Sequence, residues 1–284
     1  MQSSSFKKVN QYYYDQRKPL GKGNFGTVYL AKDRAKLDAQ YAVKVVPIST
    51  IVDDPKLKQL IMREIMILRQ IKGENIVSLI DVMQTTSNLY IFMDYCDGGT
   101  LSSLLEQEKN LDEEQACSII KQIAKAFIDL AKLEIINPDG KKVSIMHRDI
   151  KPDNVMFHQG QIKVTDFGFA KAIEDVDKDI MNKHTSLGTP LYCPPQILQR
   201  KEYSVKCDVW STGVVFYEIL HGQRPWTAGS IAEMIKNIET KPLVFSKKIK
   251  PDIQDLITKM LKINESDRLT WQEVYDHPAL KVAK

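Results

Sequence analysis

The hydrophobic pattern of this chain changes abruptly near Gly98 and Gly99. Before these glycines, short runs of β-branched and aromatic residues are separated by glycine and charged turns, which is typical of strands. After them, apolar residues recur at helical spacing, and glycine and proline are confined to the helix ends. The pattern therefore predicts an α+β fold, in which a small β-rich lobe with one main helix precedes a larger, mainly helical lobe.

The same pattern predicts the boundaries of the elements. Strands are predicted at 27–30, 41–46, 77–83 and 89–95, and helices at 112–134, 205–222, 229–238 and 251–262. A further helix at 55–70 lies among the strands, because Pro55 suits a first helical turn and apolar residues follow at helical spacing. We assign 1–11 to an N-terminal extension and 12–284 to one domain, with lobes at about 12–95 and 96–284.

Composition and charge exclude several classes of protein. Hydrophobic residues make up 43% of the 284 and charged residues 27%, so the chain can bury a substantial core. The net charge of +4 creates no demand for nucleic acid. The four cysteines form no C-x-x-C pair, and no apolar run approaches the roughly 18 residues of a membrane-spanning helix. We expect a cytoplasmic protein with no membrane segment and no nucleic-acid partner.

A glycine-rich segment lies where two strands should meet. Residues Gly21 to Val28 match the spacing G-x-G-x-x-G-x-V, and glycines so placed let a backbone approach phosphates closely. A Rossmann site needs a helix after the third glycine, whereas Thr27 to Leu30 is typical of a strand. The segment should therefore lie over phosphates as a flap, although a hairpin without a ligand explains it equally well when it is taken alone.

Lys44 is a cation inside an apolar strand, where it needs an anionic partner. Glu64 lies on the predicted helix near its core face and could hold Lys44 toward a bound phosphate. An edge-strand lysine in water is the simpler alternative. The glycine-rich segment together with Glu64 favours the ion pair.

The most informative segment is His147 to Asn154, followed twelve residues later by Asp166-Phe167-Gly168. In these motifs and their order, the chain resembles the eukaryotic protein kinases over nearly its whole length. The resemblance implies the bilobal kinase fold, with ATP and Mg²⁺ as the phosphoryl donor and its metal.

The resemblance also assigns the chemistry. It implies that Asp149 orients an attacking hydroxyl and accepts its proton, a role that a carboxylate can fill. Lys151 then neutralises charge on the transferring phosphoryl group, while Asn154 and Asp166 supply oxygen ligands to Mg²⁺. Lys44 completes the catalytic set together with Glu64.

Further site residues follow from the same resemblance. The phosphate-binding residues are Gly21, Lys22, Gly23, Asn24, Phe25 and Gly26. The residues around the adenine ring are Val28, Ala42, Met93, Asp94, Cys96 and Met156. An apolar stack of the active state is implied for Leu68, Leu79, His147 and Phe167, and Asp208 is implied to anchor the catalytic segment.

Lys151 and the later Thr189 resemble the serine/threonine type of protein kinase, which acts on a protein substrate. The segments 166–171 and 188–192 are most similar to the autophagy-initiating (Unc-51-like) branch, with calcium-dependent kinases as near relatives. Thr185 matches the activating phosphorylation site, Ser186 is the rival acceptor, and Arg148 would bind the phosphate. An activating kinase, or a second copy of the chain acting in trans, would phosphorylate this site.

Three positions depart from the family pattern. Gln196 replaces the glutamate that should pair with Arg268, so that guanidinium would keep only a single hydrogen bond, from its charged group to the neutral amide oxygen. A turn at 137–142 lengthens a surface loop by roughly eight residues. Thr100 stands where many relatives have an acidic residue. None of these changes removes a catalytic residue, so they bear on regulation and substrate choice.

Two other functions are compatible with such a fold. A pseudokinase scaffold keeps the fold without turnover, but such proteins usually lose one of the five residues Lys44, Glu64, Asp149, Asn154 and Asp166, which are all present here. A small-molecule kinase is disfavoured by the long segment 166–196, which in protein kinases forms a platform for a peptide.

Overall fold

A six-stranded antiparallel sheet in the order β1-β2-β3-β4-β6-β5 forms the first lobe of the computed structural model. The structure describes residues 5–23, 26–36, 38–136, 142–167, 171–172 and 191–281. The strands are β1 (Phe6–Val9), β2 (Tyr12–Gly23), β3 (Gly26–Asp33), β4 (Gln40–Pro47), β5 (Leu79–Gln84) and β6 (Asn88–Asp94). The sheet thus begins within the residues assigned to an extension, because β1 pairs with β2 from Phe6↔Asp15 to Val9↔Tyr12.

Two helices follow β4 on one face of this sheet. They are α1 (Ile48–Val52) and α2 (Pro55–Gln70). The bounds predicted for α2 are confirmed, with the proline at its first position, where no backbone N–H is needed. The short α1 was not predicted.

The two faces of the sheet have different roles because side chains alternate along each strand. The outer face carries an aromatic cluster in which the Tyr12 ring stacks on Phe92, with 4.0 Å between ring centroids. The inner face carries Lys44, with Val46 and Ile91 packed against α2. The sheet therefore presents Lys44 toward α2.

The second lobe is mainly helical. Its helices are α3 (Leu101–Glu108), α4 (Glu113–Lys132), α5 (Pro195–Leu198), α6 (Lys206–His221), α7 (Ile231–Thr240), α8 (Pro251–Met260) and α9 (Trp271–Tyr275). The bounds of α4, α6, α7 and α8 were predicted to within two residues at every end. Among the described residues, no helix is long and apolar enough to cross a membrane.

Three small strand pairs lie between these helices. They are β7 (Ile135–Ile136) with β8 (Lys142–Val143), β9 (Ile145–Met146) with β12 (Lys171–Ala172), and β10 (Val155–His158) with β11 (Gln161–Val164). Helix α6 is buried on almost every side and lies at the centre of the largest hydrophobic core. The loop between β9 and β10, which contains the His147 to Asn154 segment, therefore rests on a rigid base.

Candidate active site

Lys44 and Glu64 form a buried ion pair between β4 and α2. The ammonium lies 3.1 Å from Oε1 and 3.0 Å from Oε2 of the carboxylate, and the residues are 7% and 2% exposed. Burial opposes the charge on Lys44, but the carboxylates of Glu64 and Asp166 outweigh it, so the pKa of Lys44 is raised. The structure thus brings together the lysine and the glutamate that the sequence paired, with Asp166 close to both.

The inner face of the sheet also carries the predicted adenine contacts. Val28 is opposite Lys44 in the β3–β4 register, and Met93 of β6 is opposite Ala42 of β4. Because alternate residues share a face, all four side chains line the same side of the sheet.

The glycine-rich segment joins β2 to β3 as predicted. Gly21 pairs with Val28, Lys22 with Thr27, and Gly23 with Gly26. A Cβ on Gly26 would lie 2.3 Å from the carbonyl oxygen of Val45, so packing requires this glycine, whereas a Cβ on Gly21 would meet nothing within 4 Å. Space over Gly21 is what close approach of a ligand needs. Asn24 and Phe25 lie outside the described residues.

Asp208 at the start of α6 anchors the segment His147 to Asn154. Its carboxylate accepts the backbone N–H of His147 at 2.7 Å and that of Arg148 at 2.8 Å. Burial raises the pKa of Asp208, and these two donors together with the nearby His147 and Arg148 side chains oppose the rise. The anchor holds Arg148 at a φ of 65°, a strained value for a residue with a side chain and one found mainly at functional sites.

Asp149 is oriented by two neighbours in the same loop. Lys151 Nζ donates to its Oδ2 at 2.8 Å, and Asn154 Nδ2 donates to the same oxygen at 2.9 Å and to its carbonyl oxygen at 2.7 Å. Within the described ranges, no hydrogen bond is made to Oδ1 of Asp149. That oxygen is therefore free to accept a proton from a hydroxyl.

Asp166 follows β11 and has a φ of 64°. The next residue, Phe167, is buried with its ring 4.8 Å from that of His147, in one core with Leu68 and with Leu79 at its margin. The four residues predicted to form the apolar stack therefore lie in one core. Gly168 lies outside the part of the chain that the structure describes.

The residues fit a divalent metal in the kinase manner. Asn154 uses its amide nitrogen on Asp149, and no hydrogen bond from a described residue is made to its amide oxygen. That oxygen and the Asp166 carboxylate are hard donors of the kind Mg²⁺ prefers. Burial first, and then the charge of Asp166, raise the pKa of Glu64, while the Lys44 ammonium opposes the rise.

The hinge between the lobes is held by contacts that the sequence analysis missed. Asp94 at the end of β6 accepts from the Ser78 backbone N–H at 3.0 Å and pairs with Lys163 of β11 at 3.0 Å. A lysine between buried Ile162 and Val164 was the signal that could have found this pair.

The chain beyond Asp94 is tied to β10. Cys96 is buried, and burial raises the pKa of its thiol to about 11. Gly98 N–H donates to the Phe157 carbonyl at 3.0 Å, and Thr100 bridges to Met156. These contacts place Met156 beside the hinge.

The three departures have different outcomes. Thr100 caps α3, because its hydroxyl accepts from the Ser103 N–H at 3.0 Å. Residues 137–141, where the sequence predicts a lengthened loop, lie outside the described part. Gln196 meets Arg268 as predicted, at 3.0 Å from Oε1 to Nη2, but the expectation of a single bond was wrong. Buried Arg268 also donates to the carbonyls of Lys206 and Lys262.

The residues predicted to be regulatory are described only in part. Arg148 Nη1 donates to the Tyr203 hydroxyl at 3.2 Å. Thr185 and Ser186 lie in the 173–190 range, which the structure does not describe, as does Thr189.

Comparison with known proteins agrees with this geometry. A model of the protein kinase domain matches residues 14–280. Serine/threonine-protein kinase atg1 of Dictyostelium discoideum is 33% identical across 97% of this chain and 40% of its own length. Calcium-dependent protein kinase 3 of Plasmodium yoelii yoelii is 34% identical across 97% of this chain and 49% of its own. Human serine/threonine-protein kinase ULK1 is 29% identical across 96% of this chain and 26% of its own length.

The chain thus spans less than half the length of these relatives. They include members of both branches that the sequence resembles, so the predicted resemblance is confirmed. Because the matched segment extends from β2 to the end of the helical lobe, the chain belongs to the protein kinase domain family.

Proposed function

We propose that the chain is a serine/threonine protein kinase that transfers the γ-phosphoryl group of ATP to Ser or Thr hydroxyls of a protein. The observation that carries this proposal is the arrangement of Asp149, whose Oδ2 is held by Lys151 and Asn154 while Oδ1 receives no bond from described residues. A carboxylate held in this way is suited to take a proton from an attacking hydroxyl.

The mechanism follows from the positions of the charged groups. The oxygen of the acceptor hydroxyl forms a bond to the γ-phosphorus, and its proton passes to Asp149. The bond between the γ-phosphorus and the oxygen that bridges it to the β-phosphate breaks, so that ADP leaves. Lys151 is placed to neutralise the transferring group, and Lys44, held by Glu64, to bind the nucleotide phosphates. Bound Mg²⁺, held by Asn154 and Asp166, would neutralise phosphate charge.

Lys151 and the relatives named serine/threonine-protein kinases favour Ser and Thr as acceptors. Nothing supports the pseudokinase alternative, because all five residues of which such scaffolds usually lose one are present. Four of them form two hydrogen-bonded pairs, Lys44 with Glu64 and Asp149 with Asn154. We place the protein in the cytoplasm, with ATP and a protein substrate as its partners and without nucleic acid.

Peptide phosphorylation tests the proposal. The purified chain is given Mg²⁺, radiolabelled ATP and degenerate peptides whose only acceptor is Ser or Thr, and a matched library has Tyr instead. We expect label in the Ser/Thr library and its loss when a chelator removes Mg²⁺. Label in the Tyr library alone, or in neither library, would overturn the assignment.

We also propose that phosphorylation of Thr185, or of its rival Ser186, activates the chain. A phosphate of roughly −1.5 to −2 charge could be bound by Arg148, which the Asp208 anchor holds in place. Either an activating kinase or a second copy in trans could supply it. Mass spectrometry of active protein and kinetics of Thr185→Ala test this, and full activity of that variant would contradict it.

A further inference from the structure

Helix α2 is attached to both lobes. Its first turns place Leu57, Ile61 and Ile65 in a cluster with the sheet. Its last turn and the residue after it place Leu68 and Ile71 in the core of the second lobe. Glu64 lies near the end of the first attachment, one residue before Ile65 and four before Leu68, so its position depends on how firmly each end is held.

The last residue of α2, Gln70, makes a paired contact with the main chain of Ile136. The Ile136 N–H donates to Gln70 Oε1 at 3.1 Å, and Gln70 Nε2 donates to the Ile136 carbonyl at 3.4 Å and to Met66 O at 3.3 Å. The N–H and C=O of a strand residue point to the same side. The Gln70 amide thus occupies the open edge of β7 as a third strand would.

The partner of Gln70 belongs to the segment that is longer here than in the family pattern. Ile136 lies in β7, which pairs with β8 (Lys142–Val143), and the adjacent Ile135 is buried in the large core. The contact thus ties the end of α2 to an element fixed in the second lobe.

We propose that Gln70 is a positioning residue, which holds the C-terminal end of α2 against Ile136 and so keeps Glu64 at Lys44. Gln70 follows Glu64 by six residues, or about 9 Å along the helix axis, so freedom at this end is transmitted to Glu64 through a rigid helix. The proposal rests on the proposed kinase function, because its consequence is a change in phosphoryl transfer.

Gln70→Met removes both hydrogen bonds to Ile136 while keeping side-chain length and helix propensity. We expect kcat/KM for ATP to fall about threefold to tenfold, the range for loss of one or two modest hydrogen bonds. Gln70→Glu keeps an acceptor for the Ile136 N–H but faces its carbonyl, so its activity should be intermediate. Gln272→Met is the matched control, because it makes the same change at an exposed glutamine, on α9.

A Glu64→Gln background separates positioning from general damage. There, Gln70→Met should change kcat/KM by less than about twofold, because the route through Glu64 is already lost. Equal losses in both backgrounds, or no loss in the parent, would overturn the proposal. So would a loss of activity that merely follows a loss of folded protein by thermal melting.

Hydrogen exchange of the α2 amides gives a readout that does not need activity. Exchange over residues 65–70 should be faster in Gln70→Met than in Gln272→Met, and unchanged exchange would contradict the proposal. If the parent chain transfers no phosphate at all, the proposed function fails, while the exchange result still shows whether Gln70 holds the helix.

Discussion

Lys44 Nζ lies 3.0 Å from Oε2 of Glu64, and both side chains are almost completely buried. Neither charge is stable in this environment without the other or a replacement. The same pair that fixes α2 on the sheet therefore also holds the cation that the phosphates of ATP would meet.

Lys44→Met should separate stability from turnover. We expect turnover to fall by about 10²- to 10³-fold because a positioned cation is removed. The free energy of unfolding should fall by about 1 to 3 kcal/mol, since Glu64 loses its donor but can take up a proton. Adding Glu64→Gln should restore stability but not activity, and Lys58→Met, at an exposed lysine of α2, is the control. A double variant that regains turnover would contradict the assigned role.

The two glycines on either side of the flap should respond differently to alanine. Gly26→Ala places a Cβ 2.3 Å from the Val45 carbonyl oxygen, so the free energy of unfolding should fall by about 1 to 3 kcal/mol. Gly21→Ala meets no protein atom, so stability should be nearly unchanged while the KM for ATP rises. Thermal melting and ATP kinetics check both variants. An unchanged KM in Gly21→Ala would favour the ligand-free hairpin.

A carboxylate in place of the Gln196 amide should stabilise the fold. Arg268 is 1% exposed, burial lowers its pKa to about 10, and the nearest carboxylate, Glu265, lies 3.7 Å away. We expect Gln196→Glu to raise the free energy of unfolding by about 1 kcal/mol and Gln196→Met to lower it by a similar amount. Arg268 should hold the pKa of the new carboxylate below its value in the unfolded chain. The gain in the free energy of unfolding is therefore present above about pH 4.3 and is lost as pH falls below that value. Denaturant midpoints decide the order. A Glu variant less stable than the parent would contradict this prediction, and the loss of the Gln196 amide donation to the Ile263 carbonyl would then outweigh the new ion pair.

His221 should make stability depend on pH. Burial lowers its pKa, the Tyr217 carbonyl that accepts from Nδ1 at 3.1 Å partly opposes this, and nearby Lys247 adds to it. The unfolded chain therefore binds a proton first, and stability should fall as pH drops below about 6.5, by at most about 1.4 kcal/mol per pH unit. His221→Phe, which can still stack on Tyr217, should flatten this slope. Equal slopes in parent and variant between pH 7.5 and 5.5 would contradict the argument.

Local patterns were sufficient to predict most of the fold. Proline at the start of α2 and apolar residues at helical spacing gave its bounds, and Asp208 anchors the segment after β9 as the resemblance implied. Strand β1 was missed because its four residues, mostly partly or fully exposed, show no clear alternation. The strand predicted from Val77 begins at Leu79, because Val77 N–H donates instead to the Val164 carbonyl across the lobe boundary.

Contacts between distant residues could not be predicted. Gln70 and Ile136 are 66 residues apart, and nothing in a partly buried glutamine at a helix end identifies its partner. Asp94 and Lys163 likewise meet only because the hinge and β11 are packed together.

Turnover of Asp149→Asn tests the central claim most directly. The amide cannot accept a proton as the carboxylate does, although it keeps the size and most hydrogen-bonding capacity of the side chain. On the best Ser/Thr peptide, kcat should fall by about 10²- to 10⁴-fold, with the melting temperature and the affinity for ATP nearly unchanged. A folded Asp149→Asn variant that turns over at close to the parent rate would contradict the account.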